Sequence, residues 1–187
     1  MKTFVSANQL QLDSFKLGAQ IIKDGFVPNY LIALWRGGTT PACYIHELLK
    51  YVYHTPIDHI AIRTSRYTGI DETNDVVQVY NLGYLFKRLT PNDKVLIVDD
   101  VWDSGLSITA VLDTLKDKMG NNLPKDIRVA TVDYKPLRNK TTRRPNYYVN
   151  ETNDWLIYPH ELEGLTLEEI KEHWGEDISN IIENILT

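Results

Sequence analysis

The sequence is short of several things that would each have named a function class. Cys43 is the one cysteine among 187 residues. A single thiol cannot close an internal disulfide, and no Cys/His spacing matches a zinc site. Cys43 lies in an apolar stretch of helical character and is expected as buried filler rather than as a nucleophile. No run approaches the ~18 consecutive apolar residues of a membrane span. The N-terminal stretch MKTFVSANQLQLDSF has no long apolar segment of the signal-peptide kind. Excess basic charge is also missing: 20 Lys and Arg stand against 25 Asp and Glu, a formal net charge of −5. Broad nucleic-acid binding wants a basic surface, so that class is disfavoured. Neither a GxxxxGK[ST] loop nor a GxGxxG fingerprint occurs. With no repeat and no low-complexity linker either, the expectation is one soluble cytoplasmic domain over residues 1–187.

What is present is ordinary globular composition, 43% hydrophobic and 24% charged, enough to build a core. Residues 7–24 carry Leu12, Phe15, Ala19 and Ile22 near helical spacing, with Gly25 and Pro28 as stop signals. Apolar runs of strand length fall at 30–34, 57–64, 94–98 and 127–134. Shorter candidates fall at 76–80, 147–149 and 155–158. Helices are expected near 41–53, 107–119 and 177–186, and TLEE at 166–169 fits a capping box. Strands that are apolar without alternation, separated by helices, predict an α/β fold. Its sheet is mostly parallel and twisted, with helices on both faces. Two polar stretches read as loops: SRYTGIDETND (65–75) as a mobile one, and the basic LRNKTTRRPN (137–146) as a solvated one.

The chemistry concentrates in residues 95–107, VLIVDDVWDSGLS. Four apolar residues lead into Asp99 and Asp100. In an open parallel sheet, ligands bind beyond the carboxyl ends of the strands, so the acids stand where function is expected. Adjacent carboxylates repel and are costly to bury alone. They suit sugar hydroxyls, or a hydrated Mg²⁺ that takes few protein carboxylates. Asp103-Ser104-Gly105-Leu106-Ser107 then opens a helix. Small residues there let backbone N–H groups converge, and the Ser104 and Ser107 hydroxyls add to them, as a phosphate monoester requires. The bland alternative is a capped helix after a buried strand, with Asp103 as an N-terminal acid.

These residues resemble the phosphoribosyl-pyrophosphate (PRPP) motif of type I phosphoribosyltransferases, most of which have Thr where Ser104 and Ser107 stand. The resemblance implies that Asp99 and Asp100 meet the ribose hydroxyls. Asp103, Ser104, Gly105, Leu106 and Ser107 would hold the 5′-phosphate. Arg36-Gly37-Gly38, after the first apolar strand, resembles the family's pyrophosphate loop, so a non-proline cis peptide is expected near Arg36-Gly37. The 65–75 stretch occupies the place of the family's lid. Related purine enzymes carry Ser-Tyr there, and this chain has Ser65-Arg66-Tyr67.

Lys135-Pro136 and the segment Trp155-Leu156-Ile157-Tyr158-Pro159-His160-Glu161 resemble the base site of 6-oxopurine members, particularly the bacterial xanthine–guanine type. The resemblance implies that Lys135 meets the 6-oxo group and that Trp155 stacks on the base. The main chain of Leu156 or Ile157 would meet the ring edge. Glu161 would stand near the metal, with Asp99 and Asp100. His160 replaces a second Trp of that pattern. The implied protein is a Mg²⁺-dependent purine-salvage enzyme joining PRPP to hypoxanthine, guanine or xanthine, giving a nucleoside monophosphate and pyrophosphate, with Asp103 taking the purine proton. A homodimer or larger homo-oligomer is expected, as is a small hood over the base site formed by the N-terminal and 150–187 segments. The tail 165–187 lies outside the resemblance. Three other readings stay open: a PRPP- or nucleotide-sensing regulator of the same fold, a transferase for a pyrimidine such as orotate, and an α/β domain that has lost activity.

Overall fold

The computed structural model describes residues 2–67 and 76–186, with the main chain alone at Arg66, Tyr67 and Val76. The chain divides into two compact units, Asp13–Asn153 and a smaller one made of Met1–Leu12 with Asp154–Thr187.

The larger unit is built on six strands: β2 (Tyr30–Trp35), β3 (Asp58–Tyr67), β4 (Val76–Tyr80), β5 (Lys94–Trp102), β6 (Asp126–Tyr134) and β7 (Tyr147–Glu151). Their order across the sheet is β4-β3-β2-β5-β6-β7. The β3–β4 pair is antiparallel and the other four pairs are parallel. Val95, Leu96, Ile97 and Val98 of β5 are all fully buried. Each such side chain contributes ~1.5–3 kcal/mol of burial. Alternate residues belong to opposite faces. On one face Ile32, Leu34, Val95, Ile97 and Val129 pack with Ile108, Val111 and Leu115. Those three come from helix α4 (Leu106–Met119), while a short helix α3 (Gly83–Phe86) adds Leu85. On the other face Leu31, Ala33, Leu96 and Val98 are also buried. Helix α2 (Thr39–Tyr53) packs against β2 and β5, burying Pro41, Ala42, Ile45 and Leu49. The α/β fold with a mostly parallel sheet follows as expected. No described helix is long and apolar enough to cross a membrane.

Helix α1 (Ala7–Lys23) forms where expected. Ser6 caps it by accepting from the Gln9 N–H at 3.1 Å. Gly25, at φ +70°, ends it. The Gly25 and Phe26 N–H groups donate to the Ile22 and Ile21 carbonyls, the paired bonds of a Schellman stop. Its buried face differs from the expected one. Leu10, Asp13, Ser14, Leu17 and Ile21 are buried, whereas Leu12 and Phe15 are exposed. The two polar residues inside that face hid it from a hydrophobic count. Cys43 is exposed too, not buried. It lies two residues, about 200° of turn, from Ile45 on the packed face of α2.

The expected loop at 65–75 begins later than the composition suggested. Ser65, Arg66 and Tyr67 continue β3, in register with Gln78, Val77 and Val76 of β4. Residues 68–75 lie outside the described residues.

In the smaller unit, β1 (Lys2–Phe4) pairs in parallel with β8 (Trp155–Ile157). Two helices follow, α5 (Leu167–Trp174) and α6 (Glu176–Leu186). Thr166 and Glu169 close the expected capping box reciprocally at the start of α5.

Candidate active site

The helix after β2 carries the chain towards β3, and the helix after β5 carries it the other way, towards β6. The reversal of strand order therefore lies between β2 and β5, where a ligand crevice opens at the strands' carboxyl ends. Pairing of β2 with β5 stops at Ala33↔Val98. Past that point the only strand pairing with β5 is that of β6, through Asp99↔Thr131 and Val101↔Asp133. The acid pair therefore sits inside β5 rather than beyond it, on the stretch facing the gap. Sequence composition ended the strand at Val98 because the acids broke the apolar run.

The turn after β2 fills the other side of that gap. The Trp35–Arg36 peptide is cis, one bond before Arg36-Gly37. The Gly38 N–H donates to the Leu34 carbonyl at 2.9 Å, and the Thr39 hydroxyl to the Arg36 carbonyl at 2.7 Å. A Cβ at Gly37 would collide with the Asp100 carboxylate, and one at Gly38 with the Val98 carbonyl. These two glycines thus allow the turn to lie directly on the acid pair. Arg36 is exposed beside it.

Asp99 and Asp100 are shaped by their own main chain. The Asp100 N–H donates to Asp99 Oδ1 at 3.1 Å and the Val101 N–H to Asp100 Oδ1 at 2.7 Å. Burial, with the Asp100 carboxylate adding to it, pushes the Asp99 carboxyl well above its ordinary value, although part of the residue still meets solvent. Among the described residues no group of three or more His, Cys, Asp or Glu side chains stands together to cage a metal. Adjacent carboxylates of which one keeps some contact with solvent suit Mg²⁺, which keeps most of its waters.

The next turn leads into α4. Gly105, at φ +76°, starts the helix without a capping side chain. The Leu106 N–H, the first of the helix, reaches Ser104 Oγ at 3.5 Å, and a cavity of about 90 Å³ lined by Asp99, Asp103, Ser104, Gly105 and Ser107 among others lies at this helix start. Ser104 is buried.

Asp103 stands between two cations. Lys135 Nζ donates to its Oδ2 at 3.0 Å and Arg138 Nε to its Oδ1 at 2.7 Å. Burial alone would raise the Asp103 carboxyl, but these two bonds hold it below its ordinary value. Lys135 is itself only 4% exposed, unusual for a strand-end lysine. Residues 137–146 form the largely exposed loop that their composition suggested, but several of its groups reach the site, and Arg138, which composition did not single out, is one of them. The Lys140 N–H donates to the Ser104 carbonyl at 3.0 Å. Arg143 donates to the Thr109 carbonyl at 3.2 Å and pairs with Asp113 at 2.7 Å. A polar cavity of about 330 Å³ lies between Asp103, Ser104 and residues 137–140. The spacing of Lys135 and Arg138 was the one available signal, and it says nothing without the fold.

Arg36, Gly37, Gly38, Asp99, Asp100, Asp103, Ser104, Gly105, Leu106, Ser107 and Lys135 all belong to the larger unit. The residues picked from the Trp155 segment belong to the smaller one. There Trp155 is 59% exposed, Leu156 half-buried and Ile157 buried. Glu161 Oε2 accepts from the Tyr158 N–H at 3.1 Å. The His160 ring stacks on Tyr158, with centroids 5.6 Å apart.

The residue pattern of one protein family, described as phosphoribosyl transferase domain, matches residues 8–163. The chain belongs to that family. A hypoxanthine-guanine phosphoribosyltransferase of Staphylococcus aureus is 25% identical over 150 residues, 79% of this chain and 77% of its own length. A purine phosphoribosyltransferase from Pyrococcus horikoshii superposes with a TM-score of 0.66 at 25% identity, over 88% of this chain and 97% of its own. A Helicobacter pylori xanthine-guanine-hypoxanthine phosphoribosyltransferase superposes with a TM-score of 0.66 at 20% identity, over 98% and 99%. This phosphoribosyltransferase therefore carries its acid pair and the Asp103–Ser107 turn on the fold of the family, and it is an enzyme of that class.

Proposed function

We propose that the enzyme transfers the 5-phosphoribosyl group of PRPP to N9 of a 6-oxopurine, giving a nucleoside monophosphate and pyrophosphate. The observation that carries the reading is Lys135: a buried ammonium at the end of β6, tied to Asp103 beside the phosphate turn. A buried cation at that place gives a base with a ring carbonyl an electrostatic partner, which a structural lysine would not need. The purine enzymes among the matched relatives support the same choice.

In this reading the α4 N–H groups with Ser104 and Ser107 receive the 5′-phosphate. Asp99 and Asp100 hold the ribose hydroxyls, and Arg36 with the Gly37-Gly38 turn receives the pyrophosphate. Asp99 and Asp100 would hold Mg²⁺, whose charge would offset that of the departing diphosphate. The bond from the anomeric carbon to the pyrophosphate oxygen breaks as the bond to N9 forms. The proton displaced from the base goes to Asp103, which its two cations keep ionised and which becomes the stronger base as the Lys135 bond is released. Lys135 turns from Asp103 to the developing charge on the 6-oxo oxygen. In the smaller unit, Trp155 has an exposed indole face of the kind that stacks on a base.

The test is pyrophosphate release from PRPP and Mg²⁺ with a panel of bases. Hypoxanthine, guanine or xanthine should each be compared with adenine and orotate. Release with orotate and with no 6-oxopurine would overturn the reading.

A further inference from the structure

We infer that Asn139 is a positioning residue for the phosphate-cradling turn, acting on it through Trp102 and Gly105. The inference deepens the function proposed above and rests on it. Asn139 Oδ1 accepts from the Trp102 indole N–H at 3.2 Å. The same oxygen accepts from the Thr141 N–H and hydroxyl, both at 3.0 Å. Its Nδ2 donates to the Arg143 carbonyl at 2.7 Å. Every polar atom of this amide is thus committed, and its orientation is fixed. Trp102, the last residue of β5, is 1% exposed, so its indole N–H relies on a protein acceptor.

The indole and the amide meet at Gly105. A Cβ at that glycine would lie 2.5 Å from Trp102 Nε1 and 2.9 Å from Asn139 Oδ1. The pair therefore forms a wall against the left-handed residue from which the α4 N–H groups start. The residue after Asn139 holds the turn a second way, through the Lys140 N–H to the Ser104 carbonyl. The far end of the segment is pinned to α4 by Arg143 on Thr109 and Asp113. A brace from residue 139 to residue 143 thus runs from the phosphate turn to the helix it opens. Loss of the amide would let the turn spread over more conformations. It would leave Asp103 in the grip of Lys135 and Arg138. Phosphate binding should weaken more than the chemical step.

The experiment is steady-state kinetics of the full chain. Asn139→Ala should raise the KM for PRPP about five- to tenfold, the scale of one lost buried hydrogen bond. The KM for the base should move less than twofold, and kcat should fall less than the PRPP KM rises. Trp102→Phe removes the indole donor and keeps the ring, so it should raise the PRPP KM as well. The double variant should be no worse than the poorer single one, because both remove the same contact. Unchanged PRPP KM in both folded variants would overturn the inference. So would an equal rise in both KM values with a lowered Tm. If the native chain releases no pyrophosphate with any base, the 6-oxopurine reading alone falls. Ribose 5-phosphate titrated calorimetrically into native and Asn139→Ala chains then decides: weaker binding by the variant supports the positioning role, and equal binding overturns it.

Discussion

The turn after β2 and the turn after β5 face each other across one crevice, and both depend on glycine for different reasons. At Gly37 and Gly38 the requirement is room: main chain and the Asp100 carboxylate occupy the space that a side chain would take. At Gly105 the requirement is conformation first, φ +76°, with the Trp102–Asn139 pair crowding it second. Each turn has a main-chain bond, Gly38 N–H to the Leu34 carbonyl in the first and Lys140 N–H to the Ser104 carbonyl in the second, but the space beside Gly38 is bounded by main chain and that beside Gly105 by side chains from β5 and a distant loop. Backbone contacts cannot yield, whereas side chains can, so damage to the two turns should look different.

The largest effect is expected at Gly38. A Cβ there meets the Val98 carbonyl, the Asp99 Cα at 2.8 Å and the Leu34 carbonyl at 2.9 Å, all main chain. Gly38→Ala should therefore destabilise at or above the top of the ~1–3 kcal/mol range for overpacking, and lose activity with it. Gly37→Ala meets a carboxylate that can rotate. It should lose much less stability while still impairing turnover, since it displaces Asp100. Chemical denaturation paired with pyrophosphate release checks both. Equal destabilisation by the two substitutions would break the distinction between them.

Gly105→Ala should come next. The left-handed conformation costs a non-glycine residue roughly 1–2 kcal/mol, and the methyl presses on the Trp102 indole and the Asn139 amide, side chains rather than main chain. The expected outcome is a modest fall in Tm with a KM for PRPP raised at least tenfold. A variant with native PRPP KM would remove the turn from the phosphate site.

The difference between the turns also explains what the sequence made legible. Strand, acid pair, DSGLS and helix are consecutive, so local pattern and local chemistry agree, and residues 95–107 could be read directly. Gly25 and the Thr166 capping box were legible for the same reason. The brace was not, because Trp102 and Asn139 meet only after β6 has been laid beside β5. Polar composition likewise hid the continuation of β3 through Ser65, whose pairing with Gln78 is decided by β4. The short strand β1 exists only because residues 155–157 pair with it. Buried Asp13 and Ser14 disguised the packed face of α1. Each miss is a place where tertiary partners overrule local preference.

Two aspartates of the same motif sharpen the comparison further. Asp99, buried beside another acid, is pushed up, while Asp103, between two cations, is held down. Asp103→Asn should lower kcat by about 10²-fold or more, the usual scale for a lost general base, with a smaller effect on PRPP KM. Unchanged turnover would remove Asp103 from proton transfer. Arg138→Gln should act on the same carboxyl without removing it. With one of the two bonds gone, its pKa moves up, and the acid limb of kcat against pH should move to higher pH.

The smallest effect is the stability that this ion pair confers. The Asp103 carboxyl lies below its unfolded value of 3.8. A depressed carboxyl adds stability above the unfolded pKa and loses it as pH falls through the folded one. Arg138 is half exposed and Asp103 a third exposed, so solvent screening keeps the pair under about 1 kcal/mol. Arg138→Gln should therefore unfold slightly earlier than the native chain at pH 6 to 8, and the two should converge as pH falls from about 4 through the lower folded pKa of the native Asp103, below which both carboxyls are protonated. Thermal unfolding against pH measures this. A gap that persists undiminished in acid would mean that Arg138 stabilises by packing of its stem, and that the low-lying Asp103 carboxyl is the work of Lys135 alone.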